Sequence, residues 1–332
     1  MSFMLEKMTT AWSFKPYLSQ VADGLIQVEE RIAVQIDEFE PALRSYVQCA
    51  IDNHGKGIRP ALCLLTAHAC ECYSTAHVDL AMIVELIHLA SLIHDDIIDE
   101  SLLRRSEPTL HARWGADIAV LVGDCLLAHA LKCCTRLPDV ALTRAIADCA
   151  HEVCTGEILQ NQRAFDTNLT VDEYLRIIGM KTGALFRVST ELAVRLGNAP
   201  PVFIQAASQY GQMLGTAYQI YDDCMDLLGS EEETHKSVGA DFKKGKWTLP
   251  LLTIFAKLNP REREQLAASL QEDLSQARTL IFEREGHIHA LNYAQKLLAD
   301  ARAALDPMPA NGFTKTLRKL PFALSEHLTT FH

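Results

Sequence analysis

The sequence has no excess of basic residues: 31 Lys and Arg stand against 42 Asp and Glu, which gives a formal net charge of -11. A general nucleic-acid-binding protein needs a long basic surface to follow the phosphate backbone. Because this chain offers none, that class of function is excluded. Individual Arg and Lys residues are expected to act locally instead.

Disulfide and metal-thiolate frameworks are not indicated either. No CxxC pair occurs, and the ten cysteines lie inside apolar helical patterns, as Cys125 does, or next to one another, as Cys133 and Cys134 do. Such cysteines are typical of buried thiols in a reducing compartment. Residues 1–20 lack the unbroken apolar core of a signal peptide, and no charge-free apolar run reaches the roughly 20 residues that span a bilayer. We expect a cytoplasmic protein without a transmembrane segment.

Sustained period-two alternation, the pattern of β-strands, is also missing. Apolar residues instead recur every three or four residues along nearly the whole chain. This spacing predicts an all-α fold. Short polar breaks such as 137–139 and 197–201 imply neighbouring antiparallel helices in one bundle. We therefore expect a single helical domain over residues 1–332, with no internal repeat.

Two acidic clusters carry the chemistry. They share the spacing Asp-Asp-x-x-Asp and lie in apolar helical sequence: Asp95, Asp96 and Asp99, and Asp222, Asp223 and Asp226. At about 100° per residue, the three carboxylates of each cluster fall on one helix face, about one turn high. Like charges at this spacing repel, and no Lys or Arg lies within four residues of Asp96.

Carboxylate oxygens suit Mg²⁺, which completes its coordination with water and phosphate oxygens. A single cluster of this kind is more often a solvated helix end. Two clusters with identical spacing favour Mg²⁺ ions that bridge the two helices. These ions would hold a diphosphate and neutralise the charge that it gains on leaving.

Cationic residues suited to a diphosphate accompany the clusters. Arg104 and Arg105 follow Asp95 by nine and ten residues, so the helix must end soon after Asp99 if they are to return to the acidic face. Further donors lie in glycine-containing segments, where the backbone can approach an anion: Lys56, Arg59, Lys181, Thr182, Lys236 and Lys246. Singly, each lysine is more often a solvated surface residue.

These motifs together resemble those of the trans-isoprenyl (polyprenyl) diphosphate synthases. The match runs in order and at the family's spacing over about residues 50–255, through Gly55-KGIRP, Asp95-DIID with Arg104 and Arg105, Gly156-EILQ, Lys181-Thr182, Tyr218-QIYDDCMD and Asp241-FKKGKWTLP. The sequence departs from the family pattern at Gly57, Tyr218 and His235, and none of these departures removes a ligand. The resemblance implies the isoprenoid synthase fold, a large helical bundle around a central cavity.

The resemblance also implies residue roles. Mg²⁺, about three ions per active site with Mn²⁺ able to substitute, would be held by Asp95, Asp96, Asp99, Asp222, Asp223 and Asp226. The allylic diphosphate would be bound by Arg104, Lys181, Thr182, Gln219, Lys236 and Lys246, with Lys181 also serving catalysis. Isopentenyl diphosphate would be bound by Lys56, Arg59, His88 and Arg105. For His88 the alternative is a satisfied core histidine.

In this family the allylic C–O bond ionises, the double bond of isopentenyl diphosphate attacks the carbocation, and proton loss gives a product five carbons longer. No protein nucleophile is needed, and the sequence offers no persuasive Ser/His/Asp arrangement. Members that stop at fifteen carbons typically place an aromatic residue where this chain has Ala90 and Ser91, five and four residues before Asp95. We therefore expect a product of twenty carbons or more, with Ile87 as the next possible stop.

Three other functions stay open: a short-chain (C15) farnesyl diphosphate synthase, a class I terpene cyclase, and a non-catalytic partner subunit of a heteromeric synthase. Cyclases usually replace the second acidic motif with an Asn/Ser/Glu-type triad, whereas Asp226 is present here. Partner subunits usually lose Asp or Arg residues that this chain retains. The family is usually homodimeric, and the apolar segment 115–131 is either a dimer interface or internal core.

Overall fold

The computed structural model describes residues 15–52, 55, 57–104, 107–229, 238–270 and 273–328. The predicted ligands Lys56, Arg105 and Lys236 lie outside the described residues. Nearly all of the described chain is helical, which confirms the all-α prediction. Its described β structure is a two-residue antiparallel ladder in which β1 (Leu103–Arg104) pairs with β2 (Glu107–Pro108).

The helices of the first half follow one another with short connections. They are α1 (Lys15–Leu18), α2 (Ala22–Gln35), α3 (Arg44–Asp52), α4 (Ile58–Ala69), α5 (Ala76–Ile98), α6 (Leu110–Trp114), α7 (Ala116–Cys134) and α8 (Val140–Gln162). Short 3-10 turns at Ser19–Val21, Ile36–Glu38 and Pro41–Leu43 join the first of them.

The second half continues in the same way. Its helices are α9 (Val171–Ile178), α10 (Ala184–Leu196), α11 (Pro201–Leu228), α12 (Ala240–Lys243), α13 (Leu249–Phe255), α14 (Pro260–Leu270), α15 (Leu274–Glu283), α16 (Gly286–Ala304) and α17 (Gly312–Leu328). The α9 helix begins with a capping box in which Thr170 and Glu173 bond each other's backbone N–H groups, as its sequence predicts.

The chain forms two compact units. The first comprises Met1–Ala150, Leu185–Ser208 and Leu305–Leu320, and the second comprises His151–Ala184, Gln209–Ala304 and Pro321–His332. In the first unit α5 packs against α2, α4 and α7; in the second, α13 packs against α9, α15 and α16. The single domain over 1–332 and its central cavity stay predictions.

The α5 helix is the core of the first unit. By length and composition it is apolar enough to cross a membrane, but 72% of its most apolar window is buried inside the protein. A helix that is apolar on nearly all sides and covered by neighbouring helices is typical of a core element. Seven of the ten cysteines are buried as well, as predicted for structural thiols, although Cys154 is exposed.

Candidate active site

The first acidic cluster lies where α5 leaves the core of the first unit. The helix ends at Ile98 with Asp99 as its C-cap, so the predicted end just after the cluster is confirmed. Asp96 is buried, whereas Asp95 and Asp99 are half-buried. Because the apolar residues of α5 pack in the core, the cluster at the C-terminal end of this helix lies at the edge of the unit.

The ladder of β1 and β2 turns the chain back and brings Arg104 onto Asp96. The guanidinium donates from Nε to Oδ1 and Oδ2 of Asp96, both at 2.9 Å, and from a terminal nitrogen to Oδ1 at 2.7 Å. Burial by itself lowers the pKa of Arg104, but the hydrogen bonds and charge of Asp96 outweigh this effect and raise it. Asp96, the middle aspartate of this cluster, therefore has Arg104 as its cationic partner.

This pairing agrees with the prediction that Arg104 returns to the acidic face once the helix ends. No Lys or Arg lies within four residues of Asp96 in the sequence, so the positive charge beside it must come from farther along the chain. Arg104, eight residues away, provides part of that charge, because the reversal at β1 and β2 cancels the sequence separation. The predicted diphosphate ligand is thus oriented by the acidic motif itself.

A small cavity lies beside this ion pair in the first unit. Its lining consists of apolar side chains from α3, α5 and α6 together with the pair: Ala50, Leu89, Leu92, Ile93, Asp96, Arg104, Thr109 and Leu110. The face of α5 that borders the cavity carries Leu89 and Ile93. The predicted chain-length residues lie on other faces of the helix.

Among those chain-length residues, Ile87 and Ala90 are 3% and 2% exposed, so both are packed in the core. Ser91 is half-buried, and its hydroxyl donates to the backbone oxygen of His88 at 2.8 Å. The role of these three residues in product length stays a prediction.

Two predicted isopentenyl diphosphate ligands lie among the described residues. Arg59 lies in the first turn of α4, with its guanidinium carbon 4.8 Å from the centroid of the Phe186 ring. This cation–π contact orients the half-buried guanidinium. His88 is half-buried on α5.

The second acidic cluster lies near the end of α11 in the second unit. Asp222 is exposed, Asp226 is half-buried, and Asp223 is only 2% exposed. Tyr174 of α9 donates its hydroxyl to Oδ2 of Asp223 at 2.5 Å, and Gln219 donates its amide to Oδ1 at 2.7 Å. Both oxygens of the buried carboxylate are thus hydrogen-bonded.

The hydrogen-bonded chain continues to the predicted allylic site. The Thr182 hydroxyl donates to Oε1 of Gln219 at 2.6 Å. Thr182, Gln219 and Asp223 were predicted separately from two motifs 37 to 41 residues apart. In the second unit they form one connected network.

Negative charge accumulates around this cluster. Burial, followed by the charge of Asp241, raises the pKa of Asp223 to about 8, even though two hydrogen bonds lower it. The same two causes raise the pKa of Asp226 to about 6. The Asp226 carboxylate also accepts from the backbone N–H groups of Ala240 and Asp241, at 3.3 and 3.2 Å, which ties α12 to the cluster.

Lys181 and Thr182 lie in an unusual helical turn. The backbone is a π-helix over Gly179–Gly183, between α9 and α10, and Ala184 N–H bonds back five residues to the Gly179 oxygen. The amide of Gln212 donates to the same oxygen at 3.0 Å. A π turn widens the helix and is often found at functional sites. Here it changes the direction in which Lys181 and Thr182 project.

The α8 helix holds the lysine of this turn. The Lys181 ammonium forms an ion pair with Glu157 and donates to Oε1 of Gln160 at 2.9 Å. A Cβ added at Gly156 would lie 2.5 Å from the backbone nitrogen of Lys181. Only glycine permits this approach, which explains the Gly156-EILQ motif: the glycine admits the π turn, and two side chains of the motif bind its lysine.

Lys246 is the remaining predicted allylic ligand among the described residues. It is 6% exposed, and its ammonium lies 3.5 Å from Oδ1 of Asp241. The preceding Gly245 has φ +70, and its oxygen accepts from Phe165 N–H at 2.8 Å. A left-handed residue favours glycine, so Gly245 lets the segment dock on the turn after α8.

The donor set of both clusters fits Mg²⁺. Among the described residues, no group of three or more His, Cys, Asp or Glu side chains converges closely enough to enclose a metal ion by itself. Mg²⁺ does not need such a cage, because it keeps several waters and takes one or two carboxylates plus phosphate oxygens. The raised pKa values of Asp223 and Asp226 reflect carboxylates that an added cation would stabilise as anions.

Sequence reasoning missed several residues that build this site. Tyr174 and Gln212 lie in ordinary helical sequence, and Glu157 lies in the Gly156-EILQ motif but had no predicted role. Each contacts a motif residue only after the helices pack. One signal was available for Lys181: glycines at positions 179 and 183 flank it inside an otherwise apolar helical pattern. Gly in a helix costs about 1 kcal/mol relative to Ala, so such a pair indicates a local requirement.

Comparison with known proteins is consistent with the motifs. The family described as Polyprenyl synthetase matches residues 40–281. The chain is 32% identical over 308 residues, 91% of its length and 94% of the relative's, to an all-trans-nonaprenyl-diphosphate synthase (geranyl-diphosphate specific) of Rhodobacter capsulatus. It is 34% identical over 280 residues, 82% and 85% of the two chains, to a short chain isoprenyl diphosphate synthase of Methanothermobacter thermautotrophicus.

A solved structure shows the same similarity in three dimensions. The polyprenyl synthase from Caulobacter crescentus CB15, crystallised in complex with calcium and isoprenyl diphosphate, superposes with a TM-score of 0.85 at 32% identity. The alignment covers 93% of this chain and 97% of that one. The similarity therefore extends over the whole fold rather than over the motifs alone.

Proposed function

Since the chain belongs to the polyprenyl synthetase family, we propose that it condenses an allylic diphosphate with isopentenyl diphosphate to give an all-trans polyprenyl diphosphate of twenty carbons or more. It is a prenyltransferase. The finer assignments, namely the ligand residues, the Mg²⁺ requirement of this chain and the product length, form the rest of the proposal.

One observation carries this proposal. Thr182 and Gln219 on the allylic side and Asp223 on the metal side are joined by hydrogen bonds of 2.6 and 2.7 Å within the second unit. A diphosphate with its metal ions needs anionic ligands for the metal and neutral or cationic donors for the phosphate oxygens side by side. Asp223 supplies the anionic group, and the N–H of Gln219 that does not bond Asp223 supplies the donor. The single hydroxyl proton of Thr182 holds the Gln219 amide in this orientation.

Mg²⁺, when bound, neutralises the charge that develops on the leaving diphosphate. Asp95, Asp96 and Asp99 of the first unit and Asp222, Asp223 and Asp226 of the second are proposed to hold it. Asp96 and Asp223, the buried members of the two clusters, also orient Arg104 and Gln219. Lys181 and Lys246 add positive charge near the diphosphate, and fixed charges of this kind stabilise the transition state without reorganising.

Other groups serve the second substrate and the proton balance. Arg59 and His88, with Lys56 and Arg105, are proposed to bind isopentenyl diphosphate. After its double bond attacks the allylic carbocation, the new cation loses a proton, for which the released diphosphate is the proposed base. The chain needs no nucleophilic side chain, because the bond that breaks is already activated as a diphosphate ester.

The test is direct. Purified protein is incubated with Mg²⁺, labelled isopentenyl diphosphate and, in turn, dimethylallyl, geranyl or farnesyl diphosphate, and products are sized after dephosphorylation. We expect linear products of at least twenty carbons that disappear when a chelator removes Mg²⁺. A fifteen-carbon limit would indicate a farnesyl diphosphate synthase, cyclic hydrocarbons a cyclase, and turnover only with an added homologue a partner subunit.

Site-directed variants connect this activity to the cluster. D222N should lower kcat by a factor of about 10² to 10³, as expected when one electrostatic contact to the transition state is lost. D117N is the control, because Asp117 is an exposed acidic residue in the first turn of α7. Equal activity of D222N and wild type would contradict the metal assignment.

We also propose a homodimer in the cytoplasm with no nucleic-acid partner. The acidic net charge of -11 supports the last point. The dimer is supported by exposed apolar residues on α7, where Val120 and Leu121 are 41% and 60% exposed.

A further inference from the structure

Tyr174 belongs to none of the motifs, yet it contacts the second acidic cluster directly. It lies on α9 and is 3% exposed, and its hydroxyl donates to Oδ2 of Asp223 at 2.5 Å. The cost of burying a tyrosine hydroxyl and a carboxylate is offset only when their hydrogen bonds are made. An apolar pair would stabilise this position more simply, so the polar pair points to a requirement beyond packing.

The opposite oxygen of Asp223 determines the orientation of a side-chain amide. A carboxylate only accepts hydrogen bonds, so Gln219 must turn its NH₂ group towards Asp223 and its oxygen away. That oxygen is the acceptor of the Thr182 hydroxyl at 2.6 Å. If Asp223 rotated, Gln219 could flip, and Thr182 would lose its acceptor.

We propose that Tyr174 is a positioning residue for the allylic diphosphate site. Its hydroxyl fixes the Asp223 carboxylate, which fixes the Gln219 amide, which in turn fixes the Thr182 hydroxyl in the π turn beside Lys181. The inference rests on the proposed function, since it assigns these three residues to the allylic diphosphate and its metal ions. Tyr174 lies outside the motifs, and each contact in the chain from Tyr174 to Thr182 depends on the one before it.

The primary test is Y174F, which removes only the hydroxyl. The full-length protein is titrated with inorganic diphosphate in the presence of Mn²⁺, and binding is followed by calorimetry. We expect the affinity to fall about tenfold, the size of one lost hydrogen bond to a charged group. In the elongation assay, KM for the allylic diphosphate should rise while KM for isopentenyl diphosphate stays constant. A general loosening of the fold would raise both.

Y210F is the matched control. Tyr210 lies on α11 in the same unit and is 0% exposed, so the variant removes a hydroxyl from an equally buried tyrosine. We expect wild-type affinity for Mn²⁺ and diphosphate. Equal affinities of Y174F, Y210F and the wild type would overturn the proposal, as would equal increases of both KM values in Y174F.

T182V tests the far end of the same chain and does not depend on whether Y174F folds. It should also weaken binding of Mn²⁺ and diphosphate, and the Y174F/T182V double variant should bind no more weakly than the weaker single variant, because both act through Gln219. Wild-type affinity of T182V, or additive losses in the double variant, would overturn the proposal. Absence of elongation by the wild type would instead reject the proposed function.

Discussion

The middle aspartate of each cluster has a different environment from its neighbours. Asp96 and Asp223 are 7% and 2% exposed, and each has both oxygens occupied by donors of its own unit. On a helix, positions i and i+4 share a face, whereas position i+1 is turned by about 100°. Within the arc of about 100° that the three carboxylates share, the Asp-Asp-x-x-Asp spacing thus separates the two more exposed carboxylates from a buried one that orients a neighbouring donor.

The Arg104–Asp96 pair should contribute measurably to stability. In R104Q the buried Asp96 loses its cationic partner, and breaking a buried pair in this way costs about 3 kcal/mol. Urea unfolding measures the difference in free energy. The control is R113Q, because Arg113 and Glu107 form an exposed pair that is worth less than about 1 kcal/mol. Similar losses in both variants would contradict a special role for the buried pair.

Gly156 should not tolerate a methyl group. In G156A the new Cβ would meet the Lys181 backbone nitrogen at 2.5 Å and its Cα at 2.9 Å, so α8 or the π turn must shift. We expect a loss of about 1–3 kcal/mol in stability, typical of overpacking, together with lower activity. G312A is the control, since the nearest atom to its added Cβ lies 4.0 Å away. A fully active and stable G156A would contradict the close approach.

At the scale of elements, the π turn at Gly179–Gly183 decides where the basic motif points. Without it, α9 and α10 would be one regular helix, and Lys181 would project in a different direction. Gln212 on α11 compensates the widened turn by donating to the Gly179 oxygen. Such turns persist when neighbouring groups satisfy the displaced backbone.

The α5 helix combines a core role with the predicted control of product length. Because Ser91 is half-buried while Ala90 is 2% exposed, S91F should be accommodated, and A90F should be destabilised by about 1–3 kcal/mol through overpacking. Both are expected to shorten the product, which chromatography of the dephosphorylated products would measure. S91A should leave product length unchanged. Wild-type products from S91F would contradict the assignment.

At the scale of the whole molecule, α7 has two faces. Ala119, Val122 and Leu126 are buried, and α7 packs against α5. Val120 and Leu121 are exposed on the other side, so the segment 115–131 provides core and an uncovered apolar surface together. Contiguous exposed apolar residues on a protein surface mark interaction sites.

We therefore expect the V120E/L121E double variant to be monomeric in size-exclusion chromatography with light scattering, whereas the wild type is dimeric. Each added charge would have to be buried without a partner at the interface. V140E is the control, because Val140 is 74% exposed at the start of α8. A dimeric V120E/L121E protein would place the interface elsewhere.

Much of this protein follows from local sequence. Apolar periodicity specified the helices, and the Thr170–Glu173 capping box marked one helix start. The repeated Asp spacing located both clusters and is the basis of the proposed Mg²⁺ chemistry. These features depend on residues within one or two helical turns of one another, so their physical basis is present in the printed sequence.

The partners of the clusters were decided only by tertiary structure. Arg104 reaches Asp96 because β1 and β2 reverse the chain, Tyr174 reaches Asp223 because α9 packs beside α11, and Glu157 binds Lys181 across a gap that Gly156 leaves open. Each contact joins residues between 8 and 49 positions apart. Helix periodicity carries no information on which helices become neighbours, since that depends on how their side chains pack in three dimensions.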